Sequence, residues 1–452
     1  MAAIPKVTGK FTFRQGVHPP HRKNYSASAQ IKTLRPTAGK LVVVPLTQHI
    51  GTPCTATVEP KQQVSAGQEV GTSDAFVSAP VHSPVNGVVK EIIPHPHPLG
   101  RKVLSIVITV GQDQPEAQPW QELPHSFDAS KYESQAIIAA IRKAGIVGQG
   151  GAAFPTAVKL VQNPKKPVDT VILNGCECEP YLTSDHRLMV EAPSPMVAGL
   201  QLAMRAAGAQ KGIIAIEDNK PDALNSVLTE IKDIPNIQLA ICKTKYPQGG
   251  ERQLINAVLR RVVPTGGLPL DVAVVVVNTG TASAITWACV EGRPVTERIV
   301  TVTGEGIKNP GNFRVPVGML LSDLLAECGG LTDDAEKVLL GGPMMGPTAA
   351  TLEVPIIKGT SGITVLSKKD ISVNHEKACI RCSRCVDHCP LKLVPTRIAH
   401  AVKARDIEMA QDYDLMACIE CGCCTFVCPS KIPLVQYLRA GKDMLKRLKD
   451  KL

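Results

Sequence analysis

The pattern of apolar positions changes character along the chain. To about Gly111, short alternating runs such as LVVVP (41–45) sit among Pro, Gly and Thr, the signature of an all-β segment broken by turns. Between about Ser130 and Val300 the apolar runs become continuous: VDTVILNG (168–175), KGIIAIED (211–218), IQLAICK (237–243) and DVAVVVVN (271–278). Segments of helical period at 133–144, 193–208 and 221–232 lie between them. Strands that are apolar without alternation are buried on both faces, which predicts an α/β layer with a mainly parallel sheet. Residues 299–347 return to a β-rich pattern, with a hairpin turn at Asn309–Gly311 and a helix over 318–327. From about His375 the chain reads as helical. Its last stretch, AGKDMLKRLKDKL (440–452), is a basic amphipathic helix expected on the solvated surface rather than in a membrane.

Composition narrows the class. The chain has 452 residues, 44% apolar and 20% charged, an ordinary globular balance. Aromatics make up only 3%, so the core must rest on aliphatic side chains. A net charge of +10 favours an acidic partner, a nucleotide or an anionic surface. No basic stripe interleaved with aromatics is visible, so nucleic acid is not expected as a partner. Met1 to Arg14 lacks the apolar stretch of a signal peptide, and the longest apolar run, Val272 to Val277, is too short to span a bilayer. Fifteen cysteines without an export signal point to a reducing compartment, where clustered thiols bind metal.

Eight of those cysteines fall into two copies of one motif. The first is Cys379, Cys382, Cys385, Cys389 and Pro390; the second is Cys418, Cys421, Cys424, Cys428 and Pro429. Both follow C-x2-C-x2-C-x3-C-P, the run of bacterial two-cluster ferredoxins, in which the fourth cysteine ligates the other cluster. One [4Fe–4S] centre is therefore expected on Cys379, Cys382, Cys385 and Cys428, and the other on Cys418, Cys421, Cys424 and Cys389. Structural zinc sites pair their ligands across longer loops and have no reason to repeat this register. Cys423 breaks the pattern and is not expected to ligate. Cys54, Cys242, Cys289 and Cys328 are expected in the core.

Clusters pass single electrons, so something must feed them. A glycine-rich loop runs from Ala144 through Gly148, Gly150, Gly151 and Ala152 to Phe154 and on to Lys159, between two helices. Such a loop can turn backbone N–H groups toward a phosphate. The strand VDTVILNG ends in Cys176-Glu177-Cys178-Glu179, acids placed where α/β sheets bind ligands. Histidines of the Pro-rich loops HPPHR (18–22) and HPHP (95–98) are expected in solvent.

Taken in order, GQGGAAFPTAVK, LNGCECEP, YPQGGERQLI (246–255) and NTGTASAITWACVEG (278–292) resemble the flavin- and NADH-binding segments of the complex I flavoprotein. Residues 67–89 resemble the barrel-sandwich fold of lipoyl and biotinyl carriers, with Pro84 to Gly87 where a carrier presents its modified lysine. Residues 299–347 resemble a β-grasp domain. The whole order resembles the RnfC family, the NADH-side components of Rnf ion-translocating ferredoxin:NAD⁺ oxidoreductase complexes. That resemblance implies a multidomain α/β and β chain: a barrel-sandwich hybrid over 1–125, an FMN- and NADH-binding α/β domain like the complex I flavoprotein over 130–298, a β-grasp domain over 299–368, and a helical two-cluster ferredoxin domain over 369–452.

The resemblance also implies roles. Gly148, Gly150, Gly151, Ala152 and Lys159 would cradle FMN; Asn174 and Glu177 would meet its ribityl chain and ring edge. Glu179 and Glu251 would bind NADH, Phe154 would stack on one of its rings, and Asn278 and Thr281 would complete the phosphate site. Cys176 and Gly250 stand where the complex I pattern has acids. The implied chemistry is that of an NADH-dependent oxidoreductase subunit of the translocase class, exchanging electrons between NAD(H), FMN and two [4Fe–4S] clusters. Membrane subunits and a ferredoxin-type subunit would be its partners. It would lie peripherally on the cytoplasmic face of the bacterial inner membrane, with membrane contact only through those partners. A cobalamin reductase-like flavoprotein and a non-catalytic two-cluster adaptor are the alternatives.

Overall fold

The computed structural model describes residues 7–123, 127–371 and 375–449. The outermost residues of the expected first and last domains, and the segments 124–126 and 372–374, lie outside the described residues.

The continuous apolar runs form one parallel sheet. Its strands are ordered Val7–Phe11, Ile237–Cys242, Lys211–Glu217, Thr170–Gly175 and Val274–Asn278. Helices Ser134–Lys143, Pro193–Ala207 and Pro221–Ile231 lie close to the expected bounds, and a further helix, Thr279–Glu291, follows the last strand. Ile, Val, Leu and Ala from the sheet and these helices close the largest core. Helix Thr279–Glu291, made almost wholly of small and apolar residues, is buried over most of its length. Its first residue is set by Asn278, whose side chain accepts the Gly280 N–H at 2.9 Å. Gly292, at φ 68°, ends it.

The hairpin at 309–311 joins antiparallel strands Glu297–Thr303 and Gly311–Pro316, followed by helix Leu321–Glu327. They belong to a five-stranded sheet with Ala335–Leu340 and Gly362–Ser367. The barrel-sandwich comprises a four-stranded sheet, Leu41–Pro45, Lys102–Val110, Gly87–Pro96 and Gln63–Val64, over a three-stranded one, Thr55–Ala56, Glu69–Thr72 and Val81–His82.

Two strands that precede Leu41 do not build that barrel. Val7–Phe11 pairs in parallel with Ile237–Cys242 on the edge of the flavin-fold sheet, and Ile31–Thr33 pairs with Gly311–Pro316 on the β-grasp edge. Edge pairing satisfies backbone groups that would otherwise stay open. His97 also departs from expectation: it is buried, with Nε2 against the Thr47 carbonyl at 3.0 Å and Nδ1 accepting the Leu99 N–H at 3.1 Å. Burial pushes it down to about 4. The helix Leu434–Lys449 turns Leu434, Leu438 and Leu445 inward. Its apolar side is therefore spent inside the C-terminal domain.

Helices Pro193–Ala207 and Thr279–Glu291 cross at Gly199, where an added Cβ would fall 1.8 Å from the Ala282 carbonyl oxygen. Gly199→Ala should therefore cost about 1–3 kcal/mol by overpacking. It should lower the thermal midpoint by several degrees, and an unchanged midpoint would refute this close approach.

Candidate functional site

The glycine loop leaves helix Ser134–Lys143 at Gly145, whose φ of +63° suits glycine. Its base is closed by Gly148 N–H to the Phe154 carbonyl (2.9 Å) and Thr156 N–H to the Ile146 carbonyl (3.0 Å). At its tip Gly150, Gly151 and Ala152 are exposed, and their N–H groups find no partner among the described residues. Gly150 lies so close to Asn278 that a Cβ would come within 2.7 Å of the Asn278 amide. The Gln149 N–H donates to Thr281 Oγ1 at 2.9 Å. Gln149 is also gripped by Arg298 through its side-chain and backbone oxygens. Arg298 is buried, and desolvation pulls it down to about 10.

Asn174 and Asn278 are register partners at the carboxyl ends of adjacent strands. Asn174 donates to the Gly249 carbonyl at 2.8 Å, which brings the YPQGG segment to the same edge. Both polar atoms of the buried Gln248 amide in that segment lack partners among the described residues. Lys159 Nζ meets Glu251 Oε1 and the Val276 carbonyl, each at 2.9 Å. Glu251 opens helix Glu251–Leu259, where a carboxylate is favoured. A side chain at Gly250 would collide with the Gln253 amide oxygen at 2.5 Å. Cys176 is buried among Ile172, Leu254 and Ile255.

Two of the expected acids turn inward. Glu177 accepts the N–H groups of Asp185 (2.9 Å) and His186 (3.3 Å) and the Ser184 hydroxyl, with Lys23 Nζ 3.8 Å away. Glu179 accepts the N–H groups of Met344 (2.7 Å) and Met345 (3.2 Å), bridging to the segment after the β-grasp strand Ala335–Leu340. Burial raises its carboxyl above the ordinary range. Phe154 contributes its carbonyl to the loop base, with its side chain half-buried. A cavity of about 500 Å³ opens beside the loop, between the barrel, helix Thr279–Glu291 and residues 114–120; Gln149, Asp185 and Arg298 line it, while none of the cofactor residues expected from the sequence does. The unspent loop donors, the small residues around them and the orphaned Gln248 amide together fit a phosphate-bearing, hydrogen-bonding cofactor such as FMN.

The cysteine runs are conformational copies. Arg381 and Glu420, Ser383 and Gly422, and Lys392 and Lys431 all take positive φ at matching positions. Short helices Arg384–Asp387 and Cys423–Phe426 follow in each copy. Backbone N–H groups point at sulfur in both, Arg381 to Cys379 (3.5 Å) and Glu420 to Cys418 (3.3 Å). Cys389 crosses over: with Cys418, Cys421, Cys423 and Cys424 it lines one small cavity. Conversely, Lys377 N–H bonds to the Ser430 carbonyl and Ser430 Oγ to the Ala378 carbonyl, both at 2.9 Å, drawing the Cys428 end against Cys379. Among the described residues no three Cys, His, Asp or Glu side chains close on one point as a single-ion site does. A cubane instead takes one thiolate on each of four irons, so four thiols from two loops suit it.

Cys423 is completely buried, but at the joint with the flavin fold, beside Tyr246, Val17 and Cys421. There Tyr246 donates its hydroxyl to the Cys421 carbonyl at 2.8 Å. The ring of Cys418, Cys421, Cys424 and Cys389 is thus docked on the flavin fold, whereas Cys382 of the other ring is exposed. Sequence reasoning missed Gln149, Asp185, Arg298 and Gln248. Gln149 and Gln248 lie inside segments already singled out, while Asp185 and Arg298 carry no spacing signal.

Comparison with known proteins places four family models along the chain. They are the RnfC barrel sandwich hybrid domain (residues 11–113), the Nuo51 FMN-binding domain (141–287), the SLBB domain (299–348) and the 4Fe–4S dicluster domain (371–430). The chain is 42% identical to the C subunit of the Na(+)-translocating ferredoxin:NAD(+) oxidoreductase complex of Acetobacterium woodii, covering 95% of this chain and 96% of that protein. It is 43% identical to the C subunit of the proton-translocating ferredoxin:NAD(+) oxidoreductase complex of Clostridium ljungdahlii, over 95% and 93%. It is 38% identical to the C subunit of the ion-translocating oxidoreductase complex of Rhodobacter capsulatus, over 96% and 83%.

Asp185, which accepts from Asn278 Nδ2 at 2.7 Å, is raised to about 6 by burial and by the neighbouring Glu177 charge. The folded protein therefore binds more protons than the unfolded chain between the ordinary aspartate range and pH 6, so stability falls as pH rises through that window. Asp185→Asn should flatten the fall. Thermal midpoints taken anaerobically from about pH 5 to 7.5 test this, and parallel slopes for both proteins would contradict it.

Proposed function

Because the chain belongs to the RnfC family of ion-translocating ferredoxin:NAD(+) oxidoreductase complexes, we propose that it exchanges electrons between NAD(H), FMN and two [4Fe–4S] clusters as a peripheral subunit of such a complex. The observation that carries this reading is the direct joint between the two redox regions. One cysteine ring abuts Tyr246, in the same segment whose Gly249 carbonyl is held by Asn174 at the sheet edge.

FMN, when bound, supplies the exchange between two-electron hydride chemistry and one-electron transfer. The chain's own residues prepare the place. The N–H groups of Gly150, Gly151 and Ala152, with Lys159, are the donors for its phosphate. The Gln248 amide is left to orient its polar edge, beside Asn174, which ties the Gly249 carbonyl to the sheet edge. Glu251, held by Lys159 at the opening of its helix, is the acid best placed to meet the ribose of NADH. Glu177 and Glu179 act by fixing the 177–185 turn and the joint to the β-grasp domain, rather than as open carboxylates. The cysteines hold the two clusters as cross-shared sets, and electrons pass from the ring of Cys418, Cys421, Cys424 and Cys389 outward to the ring of Cys379, Cys382, Cys385 and Cys428. The exposed outer ring is where a ferredoxin-type subunit would receive or deliver them.

Ion movement across the membrane, and with it the translocase class, belongs to the assembled complex. Among the described residues no helix is long and apolar enough to cross a membrane. That supports attachment through membrane subunits, on the cytoplasmic face where NADH is available.

Anaerobically reconstituted protein should hold about eight irons per chain with bound FMN, and NADH should bleach the flavin band. Clusters without flavin would instead support the adaptor reading, and reduction of a corrinoid the cobalamin reductase reading. Cys389→Ser should disrupt the inner cluster, roughly halving the iron, and leave the outer one unreduced by NADH. Cys423→Ser should keep both clusters. Equal iron loss in the two variants would undo the cross-shared assignment.

A further inference from the structure

The barrel-sandwich domain keeps a carrier's architecture without a carrier's lysine, since Pro84 to Gly87 stand at the tip. The segment just before them is where the barrel meets the glycine loop. Residues 76–82 lie along the back of the glycine loop: Ala79 packs with Val147 and Ala153, and the Phe76 ring lies under Arg142 at 5.8 Å.

At the centre of this contact is Lys358, from the β-grasp side of the joint. It is completely buried. Its Nζ donates to the Pro80 carbonyl of the barrel and to the Gly145 carbonyl at the start of the loop, each at 2.7 Å. Its own N–H donates to Gln48 Oε1 of the barrel at 3.1 Å. The approach at Gly145 is too close for a side chain, because a Cβ there would meet Pro80 O at 2.3 Å, Lys358 Nζ at 2.5 Å and His82 Cε1 at 3.3 Å.

An ammonium held by carbonyls alone, with no carboxylate partner among the described residues, is an expensive way to join three domains. No carboxylate salt bridge to Lys358 offsets that cost. Burial lowers its pKa to about 7, so the strained charge can be relieved by losing a proton while Nζ still donates to both carbonyls. What the side chain gains is reach. One group fixes the loop's first carbonyl to the barrel and to the β-grasp domain at once.

We propose that the barrel-sandwich domain is the backing plate of the flavin loop, and that Lys358 is the positioning residue that rivets the loop to it. The loop's donors are useful to a phosphate only if their backbone is held still beforehand, because ordering them on binding would subtract from affinity. Thr281 and Arg298 hold the middle of the loop; the barrel and Lys358 hold its root. The inference rests on the FMN reading for its purpose and not for its geometry.

The test separates the two. In Lys358→Met, amide hydrogen exchange of residues 145–153 in flavin-free protein should quicken, while the cysteine loops stay protected and iron content stays at the wild-type level. The FMN dissociation constant should rise roughly ten-fold or more, equivalent to about 1.4 kcal/mol, with Lys358→Arg recovering part of it. Unchanged exchange in the loop would overturn the rivet, whatever FMN does. Faster exchange with unchanged FMN affinity would keep the rivet and remove the loop from flavin binding, which counts against the reading beneath it. Should Lys358→Met fail to accumulate, Gln48→Leu loosens the same joint from the barrel side and should give the same loop-specific exchange. Exchange identical to wild type in that variant would overturn the proposal.

Discussion

Glycine gives the 145–155 loop a conformational freedom that it must lose before its backbone can hold anything. No ladder of strand or helix bonds runs through its tip, so order has to be imposed by side chains from outside. Thr281 and Asn278 approach from a helix start, Arg298 from the β-grasp sheet, and Lys358 with Pro80 from the barrel. Four pieces of chain remote in sequence converge on one short turn. The flavin fold, the barrel and the β-grasp domain meet at that turn, and each holds part of it.

The same economy governs the joint to the cysteine domain. A flavin fold and a cluster pair joined by a flexible linker would vary in separation, and electron transfer would vary with it. Here the separation is set by buried contacts: Tyr246 to the Cys421 carbonyl, Gly422 against the Met344 carbonyl with no space for a side chain, and Val17 paired with Tyr246 on both sides. The two rings are chemically alike but differently exposed. Burial and hydrogen bonds to sulfur set cluster potential, so an inner ring against the flavin fold and an outer ring bearing the exposed Cys382 are unequal by construction.

Much of this was legible in the sequence, for a physical reason in each case. Doubly buried strands show as unbroken apolar runs, so Thr170–Gly175 and Lys211–Glu217 were bounded to within two residues. The cysteine register encodes a loop shape, and both runs adopt that shape at matching positions. The edge strands Val7–Phe11 and Ile31–Thr33 could not, because pairing partners more than two hundred residues away leave no local trace. The direction taken by Glu177 and Glu179 was hidden for a related reason. A motif gives residue types, whereas the N–H groups that capture those carboxylates belong to a helix start and to a loop across the domain joint. Lys358 was invisible, since an isolated lysine has no spacing from which burial could be inferred.

The edge position of Val7–Phe11 has a consequence for how the chain is made. Its partner strand, Ile237–Cys242, leaves the ribosome some 230 residues later, which is about 10–45 s at typical elongation rates. For that interval the segment has no sheet to join, while the barrel, whose strands are local, can already close. The nascent chain therefore carries a finished domain flanked by a waiting strand, and the flavin-fold sheet reaches its full width only once its last strand, Val274–Asn278, has emerged.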